Sequence, residues 1–557
     1  MVRFVLAVQM PVKNKRNGEA IMEETKETKE EITVEIEEIP EEKTEKEKPE
    51  EKTEEDTADI TVEIVEEPAE PEAPKKKVAF VGSECFPFVK TGGLGDVMFA
   101  LPKALVKKGY EVRVFLPKYG CLKEKYKALP QTVTTFDMDL CSDGKRYYVG
   151  VLEYEQDGVI YDFIDNEEFF AWGNPYTDLY VDIPKYCYFS KASLCAMLAL
   201  NWVPEIIHCH DWQAALVPVY LRTMFGSTAL GSSKTVLTIH NLRFQGICPE
   251  GHMRYWSGLP NVAFWGENMT MGYNTVNMMK GGISFADMVT TVSRTYAEEI
   301  KTQFYGENLN GHLSNHSGKL IGIVNGIDCD IWDPSADERI PNPYSVEDAI
   351  EMKMANKMAL QEKLGLTVDP SKMLIALVSR LTDQKGLDLV NTVMLDVLDA
   401  NTQVVVLGTG DKKYEDSFRY YEYVHKGEMC ACITYDEALS HQFYAAADAF
   451  LVPSLFEPCG LTQLIAMRYG TVPIVRETGG LKDTVAPYNK YTGEGNGFTF
   501  DNYDPILLLD AINRAKTLYF TERPYWNAMV LRDMEKDVSW EVSAKEYDEL
   551  YTAMTAI

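Results

Sequence analysis

From Lys75 onward the chain alternates short apolar runs with polar loops and amphipathic stretches. The run KKKVAFVG opens a buried-looking strand, Val78 to Val81, followed by the loop FVKTGGLGDV, the helix-like stretch MFALPKALVKKGY and a second strand, Glu111 to Leu116. Strand, glycine-rich loop, helix, strand is the βαβ unit of a doubly wound parallel sheet, in which ligands collect at the carboxyl ends of strands. The alternation repeats at Glu205 to Ile207 ending in HCHDW, at Thr235 to Ile239 ending in HN, and at Met288 to Val292 ending in SR. After a linker-like region around Leu320 to Ser345 it restarts at Met373 to Arg380, Gln403 to Asp411, Ala449 to Ser454 and Thr471 to Val475. The restart predicts a second doubly wound domain, with the active site in the cleft between the two. Trp540, Ala544, Tyr547 and Tyr551 recur at helical spacing, so an amphipathic helix is expected to close the chain by packing on a domain face.

The first 77 residues break this pattern. Residues 19 to 74 hold 24 Asp or Glu against 6 Lys, contain no Phe, Tyr or Trp, and supply most of the formal charge of -30. Such a segment buries too little apolar area to offset the entropy of ordering it, and is predicted to be a disordered acidic tail. Within it ITVEIEE (Ile32 to Glu38) recurs as ITVEIVEE (Ile60 to Glu67). The period-2 alternation would let each copy add a strand to a protein partner's sheet edge; low-complexity drift is the simpler reading. The opening MVRFVLAVQM is too short for a signal peptide, and the acid content argues against a transit peptide.

The rest has ordinary globular texture, and no run approaches the roughly 18 apolar residues that span a bilayer. The net negative field disfavours nucleic acid as a partner. Eleven cysteines without C-x-x-C pairing support neither a disulfide framework nor a zinc site, so a reducing cytoplasm fits best, with a plastid stroma as the alternative.

Candidate chemistry concentrates where strands end. Lys90 precedes Thr91, Gly92, Gly93 and Gly95, a loop whose backbone N–H groups could meet an anion, although a tight structural turn accounts for it equally. Arg380 and Lys385 stand in SRLTDQKGL between a strand and a helix, where they would neutralise a departing diphosphate; solvated loop charges are the bland alternative. Glu457 in LFEPCGLTQL could grip sugar hydroxyls or simply interact with a helix dipole. His240 and Asn241, like His208, His210 and Asp211, lie at strand ends where structural roles are common. HCHD invites a metal, but no third and fourth ligand follows at a recognisable spacing.

SECFPFVKTGGLGDV, HCHDWQAAL, TIHNLRFQG, VNGID, SRLTDQKGLDL and VPSLFEPCGLTQLIAMRYGTVPIVRETGGLKDTV together resemble the signature segments of bacterial glycogen synthases and the related plant starch synthases, collinear over residues 78 to 557. The resemblance implies an α/β GT-B fold. Residues 78–320 and 321–533 would form two Rossmann-like domains facing a central cleft, and residues 534–557 a helix returning to the first domain. It implies retaining transfer of glucose from ADP-glucose to the non-reducing 4-hydroxyl of an α-1,4-glucan, without metal or pyridoxal phosphate. It assigns His240, Arg380, Lys385, Glu457 and Asp211 to catalysis. Lys90, Gly93, Asp96, Asn325, Cys459, Gly460, Leu461 and Thr462 would bind the donor, with Tyr435 near its adenine, and Trp212 and Tyr176 would meet the acceptor. Gln213 departs from the family pattern, where His often follows HDW. The alternatives are a UDP-glucose-using synthase, a glucan phosphorylase, for whose pyridoxal site no segment is evident, and a non-catalytic glucan-binding scaffold.

Overall fold

The computed structural model describes residues 75–556; the acidic tail with its repeat lies outside them. Strands β1 (Lys77–Val81), β2 (Glu111–Pro117), β3 (Gln131–Asp139), β4 (Arg146–Gln156), β5 (Val159–Asp165), β6 (Ile206–His210) and β7 (Lys234–Ile239) belong to one sheet. Three short strands, β8 (Ile247–Pro249), β9 (Thr270–Gly272) and β10 (Thr275–Asn277), form a separate sheet before β11 (Met288–Thr291) and β12 (Leu320–Gly322) complete the first. Its order is β12-β11-β7-β6-β1-β2-β5-β4-β3. The strands from β12 to β5 are parallel, whereas β4 runs against both β5 and β3. The antiparallel edge departs from the all-parallel expectation because β4 and β5 are joined by two residues, Asp157 and Gly158, both at positive φ. That tight turn reverses the chain, while a parallel neighbour needs a long crossover.

The second sheet contains β13 (Met373–Val378), β14 (Thr402–Leu407), β15 (Met429–Cys432), β16 (Ala449–Val452), β17 (Val472–Arg476) and β18 (Phe498–Phe500), in the order β15-β14-β13-β16-β17-β18 and parallel throughout. In both sheets the chain enters at the centre, completes one side and crosses back to the other; in the first sheet β3 takes the edge before β4 and β5 fill in toward β2. The strand order therefore reverses between β1 and β6 and again between β13 and β16. Crevices open at the carboxyl ends of strands at such switch points, and HCHDW and SRLTDQKGL sit at these two places.

Two expectations about local structure change. The helix after β1 spans Gly93–Lys107, so the glycine loop itself supplies the helix's first turn. HCH continues the strand beyond the Glu205 to Ile207 run: His208 and His210 share one face of β6 and Cys209 takes the other, by the period of two. The apolar run Val78 to Val81 is fully buried, as a central strand covered on both faces requires. The closing helix, Trp540–Thr555, buries Trp540, Ala544, Tyr547, Tyr551 and Met554 in the core of the first lobe rather than the second. Tyr551 anchors it there through its hydroxyl, 2.7 Å from Nδ1 of the buried His208. No helix among the described residues is long and apolar enough to cross a membrane.

Candidate active site

A cleft of about 950 Å³ runs between the two switch points, and every residue that the family resemblance assigns to the site lines it: Lys90, Gly93, Asp96, Tyr176, Asp211, Trp212 and His240 from the first lobe, Asn325 from the linker, and Arg380, Lys385, Tyr435, Glu457, Cys459, Gly460, Leu461 and Thr462 from the second. Its walls meet at the glycine loop, where a Cβ on Gly93 would stand 3.6 Å from Leu461.

On the first wall, Lys90 pairs with Asp96 at 2.7 Å. Burial lowers the Lys90 ammonium, but Asp96, helped by Tyr435 and Glu437, outweighs it and holds the group above its ordinary value. Burial raises the Asp96 carboxyl despite its partner. Beneath the loop lies the buried carboxylate of Glu84, which accepts from Thr91 N, from Thr91 Oγ1 at 2.7 Å, from Gly92 N at 3.2 Å and from the Tyr176 hydroxyl. The Tyr176 hydroxyl also lies 2.9 Å from Ser83 Oγ.

Asp211 adopts φ 57°, in the left-handed region that Asp tolerates better than most residues, and its Oδ1 accepts from the backbone N–H groups of His240 at 2.8 Å and Asn241 at 3.4 Å. Burial pushes its carboxyl up to about 7, against those two bonds to the anion. Burial also drives His240 down to about 3, so its imidazole is neutral at physiological pH. Trp212 lines the cleft while only 4% exposed, and packs edge-to-face on Tyr186 with ring centroids 5.1 Å apart.

On the second wall, Arg380 follows β13 and is exposed to the cleft. Lys385 ends the short turn Asp383–Lys385 and pairs with Glu457 at 2.6 Å, while Ser454 Oγ donates to the same carboxylate oxygen at 2.9 Å. Gly386, at φ +68, holds that turn against β16: a Cβ there would fall 2.0 Å from the Pro453 carbonyl oxygen. Gly460, at φ +71, has Gln463 Oε1 2.4 Å from where a Cβ would sit, so EPCGL turns sharply before the helix Thr462–Arg468. Burial pushes the Cys459 thiol up to about 12, which makes it part of the packing and not a nucleophile. Asn325 is buried, and its Oδ1 has no partner among the described residues.

Several groups escaped the sequence reading. Glu84 sits in GSECFPF, a segment with no local signal for the task. Gln213, noted in the sequence only as a departure from the family pattern, is buried at the cleft with Oε1 unpartnered among the described residues. Asp483 accepts from Ser293 Oγ, Thr295 N and Thr295 Oγ1, and Glu299 accepts from Gly479 N and Thr478 Oγ1, so each lobe caps a short helix of the other. His208 and His210 stay in the core, and no group of three or more His, Cys, Asp or Glu among the described residues is placed to hold a metal ion. All eleven cysteines are free thiols.

Known proteins share this arrangement. The family model for the starch synthase catalytic domain matches residues 77–315, and that for glycosyl transferases group 1 matches residues 361–525. A glycogen synthase of Lachnospira eligens is 50% identical over 480 residues, covering 86% of this chain and all of the relative. That of Lachnoclostridium phytofermentans is 46% identical with the same coverage. The catalytic domain of starch synthase IV from Arabidopsis thaliana, solved bound to ADP and acarbose, matches with a TM-score of 0.79 at 36% identity, covering 87% of this chain and all of that one. A sucrose-phosphate synthase from Thermosynechococcus elongatus, 18% identical with a TM-score of 0.56, shares the fold. With two Rossmann-like lobes of GT-B type and half its aligned residues identical to those of a glycogen synthase, the chain belongs to the glycogen synthase family of glycosyltransferases.

Proposed function

We propose that the protein transfers glucose from ADP-glucose to the non-reducing 4-hydroxyl of an α-1,4-glucan with retention of configuration, in a reducing cytoplasm. One observation carries this reading: Arg380 and Lys385 face the same cleft as Lys90, Asp211 and His240. A leaving diphosphate gathers negative charge as the glycosidic bond breaks, and fixed cations that meet it lower the barrier. The Lys385–Glu457 pair at 2.6 Å holds the lysine in place and leaves the carboxylate within reach of sugar hydroxyls. On the opposite wall Lys90 and the glycine loop would meet phosphate and glucose, and His240 the sugar.

Retention follows if the acceptor hydroxyl arrives on the face from which the diphosphate leaves, with a phosphate oxygen taking its proton. That route needs no protein base, metal or pyridoxal phosphate. Closure of the lobes would keep water from the donor. The ADP bound in the Arabidopsis starch synthase IV structure supports adenine as the base.

The test is initial-rate transfer into glycogen from ADP-glucose and UDP-glucose, with and without chelator. Transfer from ADP-glucose, unchanged by chelator, is expected. A preference for UDP-glucose overturns the donor assignment, and no incorporation from either leaves a glucan-binding scaffold.

A further inference from the structure

The histidines of HCHD and TIHN form one hydrogen-bonded unit with a direction. β6 and β7 pair in parallel with His210 opposite Thr238, and the strand period of two brings His240 to the same side one step on. His210 Nδ1 lies 2.9 Å from His240 Nε2. His240 lines the cleft; His210 does not. His210 is fully buried behind it, between the near-parallel ring of Phe80 at 5.4 Å and the ring of His208 at 4.2 Å. Its remaining nitrogen, Nε2, is buried without a partner among the described residues.

We infer that His210 sets the tautomer of His240, donating from Nδ1–H to His240 Nε2 so that His240 presents an Nδ1–H donor to the cleft. One proton lies between the two facing nitrogens. If His240 supplied it, His210 would carry its own proton on Nε2, a buried N–H with no acceptor, and orphaned donors are the rarer kind in protein interiors. If His210 supplies it, only an sp² lone pair goes unmet. Burial holds His208, His210 and His240 all below the ordinary imidazole range, so charged forms do not compete near neutral pH.

The inference rests on the reading that His240 meets the donor sugar, and it sharpens that role. With its lone pair turned toward His210, His240 donates to a hydroxyl oxygen and has no basic nitrogen to offer the sugar. It also stays uncharged beside an anomeric centre that becomes positive, where an imidazolium would be repelled. His210 is thus a positioning residue that acts through His240.

The test is a long-range proton–nitrogen correlation spectrum of full-length protein labelled with 15N-histidine, with His240 assigned by its loss in His240→Gln. A protonated Nδ1 and bare Nε2 are expected. His210→Leu removes the donor, while His210→Asn keeps an amide N–H near the Nδ1 position. The Leu variant should lose about ten- to a hundredfold in kcat with donor KM within about threefold, and the Asn variant should recover most of that loss. A protonated Nε2 on His240 in the wild type, decisive even if the Leu variant does not fold, overturns the inference. So do equal losses in the Leu and Asn variants with the tautomer unchanged. Failure of the wild type to transfer glucose from either donor would instead remove the functional reading and leave the tautomer assignment standing.

Discussion

The two walls of the cleft use the same parts, a parallel sheet with loops at its switch point, and differ in electrical character. The first wall carries a neutral imidazole held by a buried partner and a carboxylate whose affinity for protons is raised by burial, the groups that the proposed function sets against the sugar. The second offers Arg380 and Lys385, one exposed to the cleft and the other tied to Glu457. Sugar hydroxyls are recognised by direction, which buried and inflexible hydrogen-bonding groups supply. A diphosphate is recognised by charge, which loop cations supply without exact geometry. Breaking the second wall should therefore cut turnover more than loosening the first.

Lys385→Ala is the sharpest break. On the proposed function it removes a cation from the leaving group, it leaves Glu457 with Ser454 Oγ but no cationic partner, and turnover should fall by about 10² or more at saturating donor. Near-normal kcat in this variant would mean that the second wall does not catch the nucleotide. Glu84→Gln tests the first wall. One carboxylate oxygen gathers Thr91 N and Gly92 N and the other Thr91 Oγ1 and the Tyr176 hydroxyl, and an amide would turn its N–H₂ group on one of those two pairs of donors. About a tenfold rise in donor KM is expected, measured by initial rates. An unchanged KM would mean that the KTGG loop keeps its shape without Glu84.

The second wall was more legible than the first. Arg380 and Lys385 follow an obvious apolar strand, and a cation just past a strand end already suggests a phosphate. The task of Glu84 is invisible in GSECFPF because the atoms it serves belong to residues defined only once the loop has folded back over it. HCH is misleading: three polar-looking letters suggest that the strand has ended, yet two of them face a dry core that also receives Tyr551, 343 residues away. The EQDGVI turn was readable, since Asp-Gly between alternating runs is a hairpin signal, and it explains the antiparallel edge. Asp483 was not, because its partners lie 188 and 190 residues earlier.

The neutral character of the histidine pair on the first wall can be read from pH dependence. His210 is an unprotonated base in the fold, held well below its ordinary value by burial, so the unfolded chain takes up a proton below about pH 6.5 that the native chain refuses. Stability from this group is present above that pH and is lost as pH falls. His210→Asn should make the fall in unfolding free energy between about pH 6 and pH 5 shallower by about 1.4 kcal/mol per pH unit, measured by urea titration. An unchanged slope would mean that the ring takes a proton in the native state, and the histidine pair behind the first wall would then not be neutral.

The smallest effect is expected where the walls are joined. The helices Arg294–Glu299 and Gly479–Thr484 come from different lobes, and each gives a carboxylate to the other's first turn. Ser293 Oγ and Thr295 Oγ1 donate to different oxygens of Asp483, so Asp483→Asn keeps one acceptor and turns its N–H₂ group toward one of the two hydroxyls, costing about 1 kcal/mol at the junction. If the junction sets how the walls face each other, kcat and donor KM should shift together by about threefold, because closure contributes to both. If the melting temperature falls while both constants hold, the junction stabilises the fold without aligning it, and the contrast between the walls is then maintained within each lobe by its own buried contacts.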